Sequence, residues 1–524
     1  MKEFSLFVDG KDVDTGKYEY FPYADQVILD FKKTYQILTK LKKGEIPEDA
    51  DKYVYAKYCV GDNELNKRAI DSAYKASKIM KDFAVSKRQS IVLGILKYLK
   101  QMENEFINIL VVEGHPYKLA KWEYDSMLKG LSEISINLCK NDLFKEIGCE
   151  GNERVYHVRK PDGVIVVSPP KNASASNSLA AVYAFLSGNA VIMKVPLKAP
   201  IATLFLWKNI IAKILKDHKA PDGVLNIING NSKNIMDEWI ANPLVNDIFF
   251  FGESENGLEL AKKAYNNNKK MILELSGNDN LYVWRDCNLS GAVEASLDCF
   301  LGSTQICMVP KNIIVHEDIY DVFITKFVEK TKELKIALPS DRDTCLTPVN
   351  KMSECAEFLN DALAKNAKIL CGGKRVDYTG SENERGAYFQ PTLVEIDTDN
   401  PEIFNIKVIK DENFFPVIPV VKVKSTKSGQ AARDSDIFEK MLDIAAHNEY
   451  GLRASAWVKS AYYTRQFMKY IDNSGLFRIN SRHVEVSPYH AVHGGIKKTG
   501  GPYGEMNYFW YKTTHIQGIS LTRK

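Results

Sequence analysis

Long hydrophobic runs are absent from this 524-residue sequence. No apolar stretch approaches the roughly 20 residues of a membrane-spanning helix, which argues against a membrane partner. The opening residues, Met-Lys-Glu-Phe-Ser-Leu-Phe, combine a short apolar run with an early acid and are not typical of a secretory signal. The sequence also has no internal repeat and no low-complexity linker. We therefore expect a globular protein.

An excess of charge of one sign is also lacking. Lysine and arginine together number 70, aspartate and glutamate number 66, and the formal net charge is +4. So small an excess gives no sign of a nucleic-acid or membrane-surface partner. The hydrophobic share of 45% is ordinary for a soluble protein, and the length suffices for two or three domains.

Cysteine pairs with metal-binding spacing are missing as well. The nine cysteines are scattered, odd in number and contain no Cys-x-x-Cys, which favours a reducing, cytoplasmic compartment. His490, His493 and His515 are assigned to loops and to the closing strand rather than to a metal triad. The sequence thus predicts no metal site.

Strands and helices alternate in the first half of the chain. Continuous apolar strands at residues 163–168, 190–194, 223–228 and 247–251, separated by helical stretches, predict a parallel, doubly wound α/β sheet. Ligands bind such sheets at the carboxyl ends of the strands. The candidate ligand-binding residues there are Pro170, Asn172, Lys194, Gly230 and Gly252.

The flanking regions differ in pattern. Short β segments are predicted over residues 4–22, helices from 63 to about 138, and an exposed β-ribbon over 143–162, where polar and apolar residues alternate. Residues 24–52 are charged and have no steady period. A second α/β unit is expected to begin near residue 278.

Two residues in this chain have the chemistry of a catalytic pair. Cys307 follows Gly302 and Ser303, which allow a sharp turn that would project the sulfur into a cleft, as a thiolate nucleophile requires. Most free cysteines are inert, so Cys307 alone decides little. Glu274 is an acid in an otherwise apolar strand, where a carboxylate is paired, solvated, or raised in pKa so that it acts as a base.

Together, Leu273-Glu-Leu-Ser-Gly277 and Gln305-Ile-Cys307 resemble the active-site signatures of the aldehyde dehydrogenase superfamily. Further stretches resemble the family in the same order, so that the resemblance covers nearly the whole chain; they are Leu370-Cys-Gly-Gly-Lys374, Ala387-Tyr-Phe-Gln-Pro-Thr-Leu393, Asp411-Glu-Asn-Phe-Phe-Pro-Val417, Tyr450-Gly-Leu452, Asn480, His493-Gly-Gly495 and the closing run 513–521.

The resemblance implies a fold and an assembly. The fold would be a Rossmann-like, doubly wound cofactor domain (1–141 and 163–275), an α/β catalytic domain (276–485) and a β-ribbon for oligomerisation (142–162 and 500–524). Residues 24–52 would be an insertion. The resemblance further implies a homodimer or homotetramer that acts on a small aldehyde.

The resemblance also implies roles in the oxidation of an aldehyde to a carboxylate. Cys307 would attack the aldehyde carbon, and Glu274 would activate the water that hydrolyses the resulting thioester. Asn172 would stabilise charge on the carbonyl oxygen. The loop Pro169-Pro-Lys-Asn172 departs from the family's Pro-Trp-Asn-Phe-Pro, and a gapless alignment puts Lys171 at the asparagine position.

The cofactor would be NAD or NADP, bound by Pro170, Lys194, Gly230, Gly252, Ser254, Glu412 and Phe414. Lys194 would bind the adenosine ribose. Leu197 replaces a glutamate that is common in NAD-preferring members, and Lys198 follows it, so NADP is at least as plausible as NAD.

Two further departures concern the rest of the cofactor site. Glu253 replaces a small hydroxyl residue beside the pyrophosphate, where Ser254 would supply the hydroxyl instead. Phe415 replaces a glycine and would narrow the nicotinamide side.

Two alternatives stay open on the sequence alone. One is a coenzyme A-acylating aldehyde dehydrogenase or acyl-CoA reductase, which the position of Asn172 favours and the presence of Glu274 opposes. The other is a fold-retaining protein with weak cofactor binding, which Leu197, Glu253 and Phe415 motivate, because a fold does not guarantee a function.

Overall fold

The computed structural model describes residues 1–489, 495–501 and 509–522. The strands are β1 (Lys2–Phe4), β2 (Leu6–Val8), β3 (Lys11–Val13), β4 (Tyr18–Pro22), β5 (Val54–Cys59), β6 (Phe144–Glu150), β7 (Glu153–Pro161), β8 (Val164–Ser168), β9 (Ala190–Lys194), β10 (Leu225–Ile228), β11 (Asp247–Phe251), β12 (Lys270–Glu274), β13 (Asp279–Val283), β14 (Pro310–His316), β15 (Lys368–Cys371), β16 (Arg375–Val376), β17 (Tyr388–Phe389), β18 (Thr392–Asp397), β19 (Val417–Val423), β20 (Tyr450–Gly451), β21 (Arg453–Trp457), β22 (Leu476–Ile479) and β23 (Thr514–Thr522).

The α-helices are α1 (Ala24–Leu29), α2 (Phe31–Lys42), α3 (Ala50–Tyr53), α4 (Asn63–Met80), α5 (Val85–Gln101), α6 (Glu103–Val112), α7 (Tyr117–Gly130), α8 (Glu133–Asp142), α9 (Ser174–Leu179), α10 (Val182–Ser187), α11 (Ile201–Leu204), α12 (Lys213–Asp217), α13 (Ser232–Ala241), α14 (Ser254–Tyr265), α15 (Leu289–Ser296), α16 (Glu317–Lys332), α17 (Met352–Ala364), α18 (Lys407–Lys410), α19 (Gln430–His447), α20 (Ala461–Tyr470), α21 (Lys497–Gly500) and α22 (Phe509–Lys512). A π-helix covers Phe205–Ala212, and 3-10 helices cover Leu297–Thr304 and Ile403–Asn405. None of the helices in the described ranges is long and apolar enough to cross a membrane.

The first of two seven-stranded sheets has the order β12-β11-β8-β9-β10-β2-β3. Its five strands from β12 to β10 are parallel, and the short β2 and β3 extend it in antiparallel pairing. All residues of β8, β9, β10 and β11 are buried, because helices cover both faces of the sheet and only apolar runs are stable there. The predicted parallel, doubly wound sheet is confirmed.

The second seven-stranded sheet has the order β15-β18-β19-β14-β13-β21-β22 and is parallel except for β15. Its first strand in the chain, β13, starts at Asp279, so the predicted second α/β unit is confirmed. This sheet has its own buried apolar clusters on its two faces.

The ribbon predicted over 143–162 consists of β6 and β7, and β23 pairs with β7 in antiparallel register from Thr514 opposite Pro161 to Thr522 opposite Glu153. All residues of β6 are exposed, including Phe144 and Ile147. Apolar side chains that face solvent on a projecting ribbon are typical of an interaction surface.

Residues 24–52 contain α1, α2 and the start of α3, which enclose a small apolar cluster around Ile37, Leu41 and Tyr53. The helices are short, and Asp30 ends one and caps the next by accepting a hydrogen bond from the backbone N–H of Lys33. These interruptions explain why the sequence shows no steady period.

Candidate active site

The turn that presents Cys307 has an unusual backbone. Gly302, Ser303 and Thr304 have φ values of 62°, 52° and 65°, in the left-handed region that side chains rarely adopt. Side-chain hydrogen bonds hold this conformation: Thr304 Oγ1 donates to the Cys299 carbonyl oxygen, and Ser303 Oγ donates to the Thr347 carbonyl oxygen, both at 2.7 Å. The sharp turn expected from the small residues is therefore present, and two side-chain hydrogen bonds stabilise it.

Two cavities meet at Cys307. One, which we call the inner pocket, has mainly apolar walls that include Leu119, Trp122 and Met308. The lining of the other, which we call the outer cleft, includes Pro170, Gly252, Glu274, Glu412 and Phe414. Cys307 and Asn172 line both cavities, so a small molecule in either one can reach the thiol.

Asn172 lies directly beside the cysteine turn. Its Nδ2 atom donates a hydrogen bond to the carbonyl oxygen of Gln305 at 3.0 Å. Lys171 lies on the outer cleft, where burial and the nearby Lys198 lower its pKa. Of the two residues that compete for the family's asparagine position, Asn172 is the one that lines the inner pocket.

Glu274 is the last residue of β12 and is 2% exposed. Neither of its carboxylate oxygens has a hydrogen-bond partner among the described residues. Burial raises the pKa of Glu274 well above its ordinary value, and the positive charge of Arg453 opposes this shift. A carboxyl group of this kind takes up a proton readily once it is ionised, which is what a general base requires.

Burial also raises the pKa of the Cys307 thiol well above its usual range, with further contributions from the nearby Glu274 and Glu412. The Cys307 backbone packs tightly against Gly277, because a Cβ atom at that glycine would lie 2.7 Å from the Cys307 carbonyl oxygen. The break after Glu274 that was evident in the sequence thus brings the two catalytic candidates close together.

Lys311 is a functional candidate that sequence reasoning missed. Its ammonium group is fully buried, donates to the Thr304 carbonyl oxygen at 2.7 Å and lies 4.9 Å from the centre of the Phe414 ring. Burial lowers the pKa of Lys311 to about 8, while Glu412 and Cys307 favour its charged form. The signal in the sequence was a lysine near the start of the apolar strand β14.

Glu412 also lines the outer cleft. Its carboxylate accepts a hydrogen bond from the backbone N–H of Gly277 at 2.9 Å, and burial raises the pKa of Glu412. Glu412 and Phe414, which the sequence assigned to the nicotinamide side, therefore lie in the same cleft as Cys307.

Arg453 was also missed. It begins β21, is 4% exposed and lines the inner pocket. Its backbone N–H donates to Asp279 Oδ1 at 3.0 Å, and its Nη1 donates to the His483 carbonyl oxygen at 3.1 Å. Burial and the neighbouring Arg478 lower the pKa of Arg453 to about 10, so it remains a cation at neutral pH. An arginine directly after Tyr450-Gly-Leu452, in a strand that is otherwise apolar or small, was the available signal.

Lys194 ends β9 and is 6% exposed. Burial lowers the pKa of Lys194 to about 8, and no carboxylate among the described residues offsets the cost of its charge. Leu197, the position where an acid was expected in NAD-preferring relatives, follows shortly and is partly exposed. A buried lysine at the carboxyl end of a parallel strand, with no acid beside it in the described part of the chain, fits an anionic or hydroxyl-rich ligand.

Ser254 and Gly230 have contacts that the sequence did not indicate. The Ser254 hydroxyl donates to the Lys498 carbonyl oxygen at 2.8 Å, so its hydrogen is directed away from a ligand in the outer cleft. Gly230 has a φ of 135°, and a Cβ atom there would lie 3.0 Å from the Gly61 carbonyl oxygen. Close packing therefore explains the glycine at 230.

Glu253, which replaces a small hydroxyl residue, lies at the outer cleft. Its side chain is 77% exposed and lies 3.3 Å from Lys351 Nζ. The expectation for Phe415 is wrong. Its ring is fully buried in the core of the second sheet, 5.0 Å from the ring of Phe358, and does not narrow the cleft.

His490 and His493 lie outside the described residues, and His515 pairs with Asp162 at 2.7 Å. Among the described residues, His316, Asp318 and Asp434 bring potential metal-ligand atoms within 4.8 Å of one another. Arginines already occupy these carboxylates, since Asp434 binds Arg285 and Asp318 binds Arg433. The group is thus explained by ion pairs.

Comparison with known proteins gives consistent results. The model of the "Aldehyde dehydrogenase family" matches residues 39–519. A "Lactaldehyde dehydrogenase" of Methanocaldococcus jannaschii is 30% identical over 477 residues, which cover 88% of this chain and 93% of that protein. A "D-glyceraldehyde dehydrogenase (NADP(+))" of Thermoplasma acidophilum is 28% identical and covers 86% of this chain and 88% of its own.

Solved structures resemble the chain over similar lengths. The crystal structure of glyceraldehyde-3-phosphate dehydrogenase GapN from Methanocaldococcus jannaschii, complexed with NADP, has a TM-score of 0.77 and 28% identity, with 90% of this chain and 97% of that chain covered. The lactaldehyde dehydrogenase of Escherichia coli has a TM-score of 0.81 at 21% identity and covers 99% of both chains, which supports the fold.

Proposed function

Because the chain belongs to the aldehyde dehydrogenase family, we propose that it oxidises a short-chain aldehyde to a carboxylate through Cys307, with NADP as the preferred cofactor. The observation that carries this proposal is the meeting of two cavities at one thiol, with Asn172 on both and Glu274 on the outer one. The names of the relatives support a small, oxygen-rich aldehyde as the substrate.

The chemistry divides between the two cavities. With an aldehyde in the inner pocket, the Cys307 thiolate adds to the carbonyl carbon and forms a thiohemiacetal, while Asn172 Nδ2 donates to the developing oxyanion. NADP held in the outer cleft would supply the hydride acceptor, and loss of the hydride from this carbon would leave a thioester on Cys307. Glu274 then removes a proton from water, the resulting hydroxide adds to the thioester carbonyl, and departure of the thiolate releases the carboxylate.

The preference for NADP rests on the residues around Lys194. A 2′-phosphate requires cations and is repelled by an acid. Lys194 is buried, and burial lowers its pKa. Leu197 occupies the position where an acid would repel the phosphate. Lys198 next to it adds an exposed positive charge. Pro170 and Gly252 from the unit built on the first sheet, and Glu412 and Phe414 from the unit built on the second, would hold the rest of the cofactor in the outer cleft.

We also propose that the chain forms a homodimer or homotetramer through its ribbon. Phe144, Ile147, Ile516 and Ile519 are exposed on β6 and β23. A second copy of the chain would bury these side chains, and the burial of apolar surface favours such an association. Light scattering of the protein and of an Ile516→Lys variant tests this assembly, and a monomeric wild-type protein would contradict it.

The reaction is tested by following reduced cofactor with lactaldehyde and D-glyceraldehyde, with NAD or NADP, and with or without coenzyme A. We expect turnover with NADP in the absence of coenzyme A, and none in Cys307→Ala. Turnover that requires coenzyme A would replace the proposal with an acylating dehydrogenase. If the protein fails to bind either dinucleotide at millimolar concentration, the dehydrogenase proposal is wrong.

A further inference from the structure

A buried ammonium group lies against the turn that carries Cys307. It belongs to Lys311, which is 0% exposed in β14, and its Nζ donates to the carbonyl oxygen of Thr304 at 2.7 Å. A hydrogen bond from a charged donor is shorter and stronger than one between neutral groups. Lys311 therefore anchors the turn from the strand that follows it.

The anchored part of the turn is the part with the least favourable backbone. Thr304 is the last of three consecutive residues with positive φ. Such a conformation persists only where surrounding contacts determine it. The hydroxyl groups of Ser303 and Thr304 supply contacts from within the turn, and Lys311 adds one from a separate element. The position of the sulfur thus depends on β14 as well as on the turn itself.

The same ammonium contacts a residue of the outer cleft. Lys311 Nζ lies 4.9 Å from the centre of the Phe414 ring, within the range of a cation–π interaction. Phe414 and Cys307 both line the outer cleft, whereas Lys311 is not among the described residues that line it. Lys311 therefore lies behind the ring and the cysteine turn and acts through them.

The charge of Lys311 also affects the ionisation of the sulfur. Burial raises the pKa of the Cys307 thiol, and three acids raise it further: Glu274, Glu412 and Asp279. Lys311 acts in the opposite direction, because a nearby cation favours the thiolate. Arg453 is a second cation close enough to interact with this thiol.

The surroundings of Lys311 keep it charged. Burial lowers the pKa of Lys311 to about 8, and the ionisable groups that favour its charged form are Glu412, Cys307, Asp279 and Cys299. Because this pKa lies above 7, the ammonium form predominates at neutral pH. A thiolate and an ammonium that are buried close together stabilise each other.

We propose that Lys311 is a positioning residue that fixes the cysteine turn through Thr304 and, by its charge, favours the thiolate form of Cys307 before a dinucleotide binds. The thiol proton passes to solvent, and Lys311 keeps its own. This inference rests on the proposed role of Cys307 as the nucleophile, and it adds the residue that prepares the nucleophile.

The test measures the thiolate directly, without turnover. Cofactor-free protein is alkylated with iodoacetamide over a range of neutral and alkaline pH, and mass spectrometry of the digested protein follows the peptide that contains Cys307. Iodoacetamide reacts with the thiolate, so the rate profile gives the apparent pKa of this thiol. Lys311→Met removes the charge at similar side-chain length. It should raise that pKa and slow alkylation at neutral pH by about 10-fold, the change that one pKa unit represents.

Lys269→Met is the matched control. Lys269 is also a buried lysine, and its Nζ donates to the carbonyl oxygens of Asn242 and Val245 at 2.5 and 2.6 Å, in the part of the chain built on the first sheet. This variant should leave the alkylation profile of Cys307 unchanged. Thermal unfolding of each variant shows whether it is folded.

Two further variants separate the charge of Lys311 from its hydrogen bond. Lys311→Arg keeps the charge and should restore much of the wild-type profile. Lys311→Gln keeps a donor but loses the charge, so it should behave like Lys311→Met and replaces that variant if it does not fold. A purely structural role would slow alkylation by the same factor at every pH. An unshifted apparent pKa in the folded neutral variants, or an equal shift in Lys269→Met, would overturn the inference.

A failure of the proposed oxidation is distinguishable from a failure of this inference. Alkylation needs neither an aldehyde nor a hydride acceptor, so it tests Lys311 even if the protein oxidises no aldehyde. A shifted profile in Lys311→Met without any turnover by the wild-type protein would support the role of Lys311 and contradict the proposed function. Wild-type turnover with an unshifted profile in the variant would do the reverse.

Discussion

Asn172 Nδ2 donates a hydrogen bond to the carbonyl oxygen of Gln305 at 3.0 Å, which joins the loop after β8 to the turn that carries Cys307. One donor of the amide thus positions the side chain, and the second is the one that our proposed mechanism assigns to the substrate oxygen. The Asn172 side chain therefore links the first sheet to the turn that carries Cys307.

This geometry predicts the effect of changing Asn172. Asn172→Ala removes the donor and should lower kcat by about 100- to 1,000-fold, the range found for a lost oxyanion donor. Asn172→Asp keeps the size but puts an acceptor beside the developing negative charge, so it should be at least as impaired. Steady-state kinetics measure both variants, and an Asn172→Ala variant with unchanged kcat would exclude Asn172 from oxyanion stabilisation.

Glu274→Gln should separate the two halves of the reaction. Because Cys307 is intact, one equivalent of reduced cofactor should form rapidly, whereas steady turnover should fall by about 100- to 10,000-fold, since no general base activates water. Stopped-flow absorbance resolves the two phases. If the rapid formation of reduced cofactor is lost along with steady turnover, Glu274 acts before hydrolysis of the thioester.

The pH dependence follows from the same carboxyl group. The pKa of Glu274 is raised by burial, and so is the pKa of the Cys307 thiol. Both groups act in their ionised forms, so wild-type kcat should rise as the pH increases above neutrality. The rate of thioester hydrolysis, measured as a function of pH, should differ between wild type and Glu274→Gln. A wild-type kcat that falls from neutral to alkaline pH would contradict these roles.

Gly277→Ala tests the close contact behind the cysteine. The new Cβ atom would lie 2.7 Å from the Cys307 carbonyl oxygen, so the backbone of the cysteine turn must shift. A displacement of this kind should lower kcat by about 100-fold, because the reacting atoms lose alignment. Gly148→Ala, where no atom lies within 4 Å of the added Cβ, is the control. Unchanged kinetics in Gly277→Ala would show that the turn adapts without loss.

The lowered pKa of Lys194 predicts how the affinity for NADP depends on pH. The pKa of Lys194 is lowered to about 8 by burial, so the free protein loses this charge as the pH rises through about 8. If the ammonium attracts the 2′-phosphate, affinity for NADP should be highest below this pH and should decline above it, whereas affinity for NAD should change less. Fluorescence titrations of wild type and Lys194→Met measure this, and the variant should lose the difference between the two cofactors.

Much of the architecture was predictable because apolar strands and turns are local patterns. Continuous apolar runs identified the parallel strands β8 to β11, and small residues identified the turn before Cys307. The direction of an individual side chain was not predictable. Phe415 packs onto Phe358 in a core that forms from distant segments, and the Ser254 hydroxyl donates to Lys498, which is far away in the sequence.

Lys311 and Arg453 were missed for a related reason. Each is a charged residue near the start of a buried strand, and the sequence alone does not distinguish a charge that lines a cavity from one that reaches solvent. The second sheet contributes its amino-terminal ends to the site, since Cys307 precedes β14, Asp279 begins β13 and Arg453 begins β21. The rule for carboxyl ends of parallel strands applies here to the first sheet, where it located Asn172 and Lys194, whereas Glu274 was indicated by an acid in an otherwise apolar strand.

Cys307 is proposed to form the covalent bond to the substrate, and trapping the acyl-enzyme is the sharpest test of this role. Wild type and Glu274→Gln are mixed with NADP and an aldehyde, quenched in acid within the first turnover, digested and analysed by mass spectrometry. We expect an acyl group on the peptide that contains Cys307, more abundant in Glu274→Gln than in wild type. Reduced cofactor that forms without any modification of this peptide, or that still forms in Cys307→Ala, would contradict it.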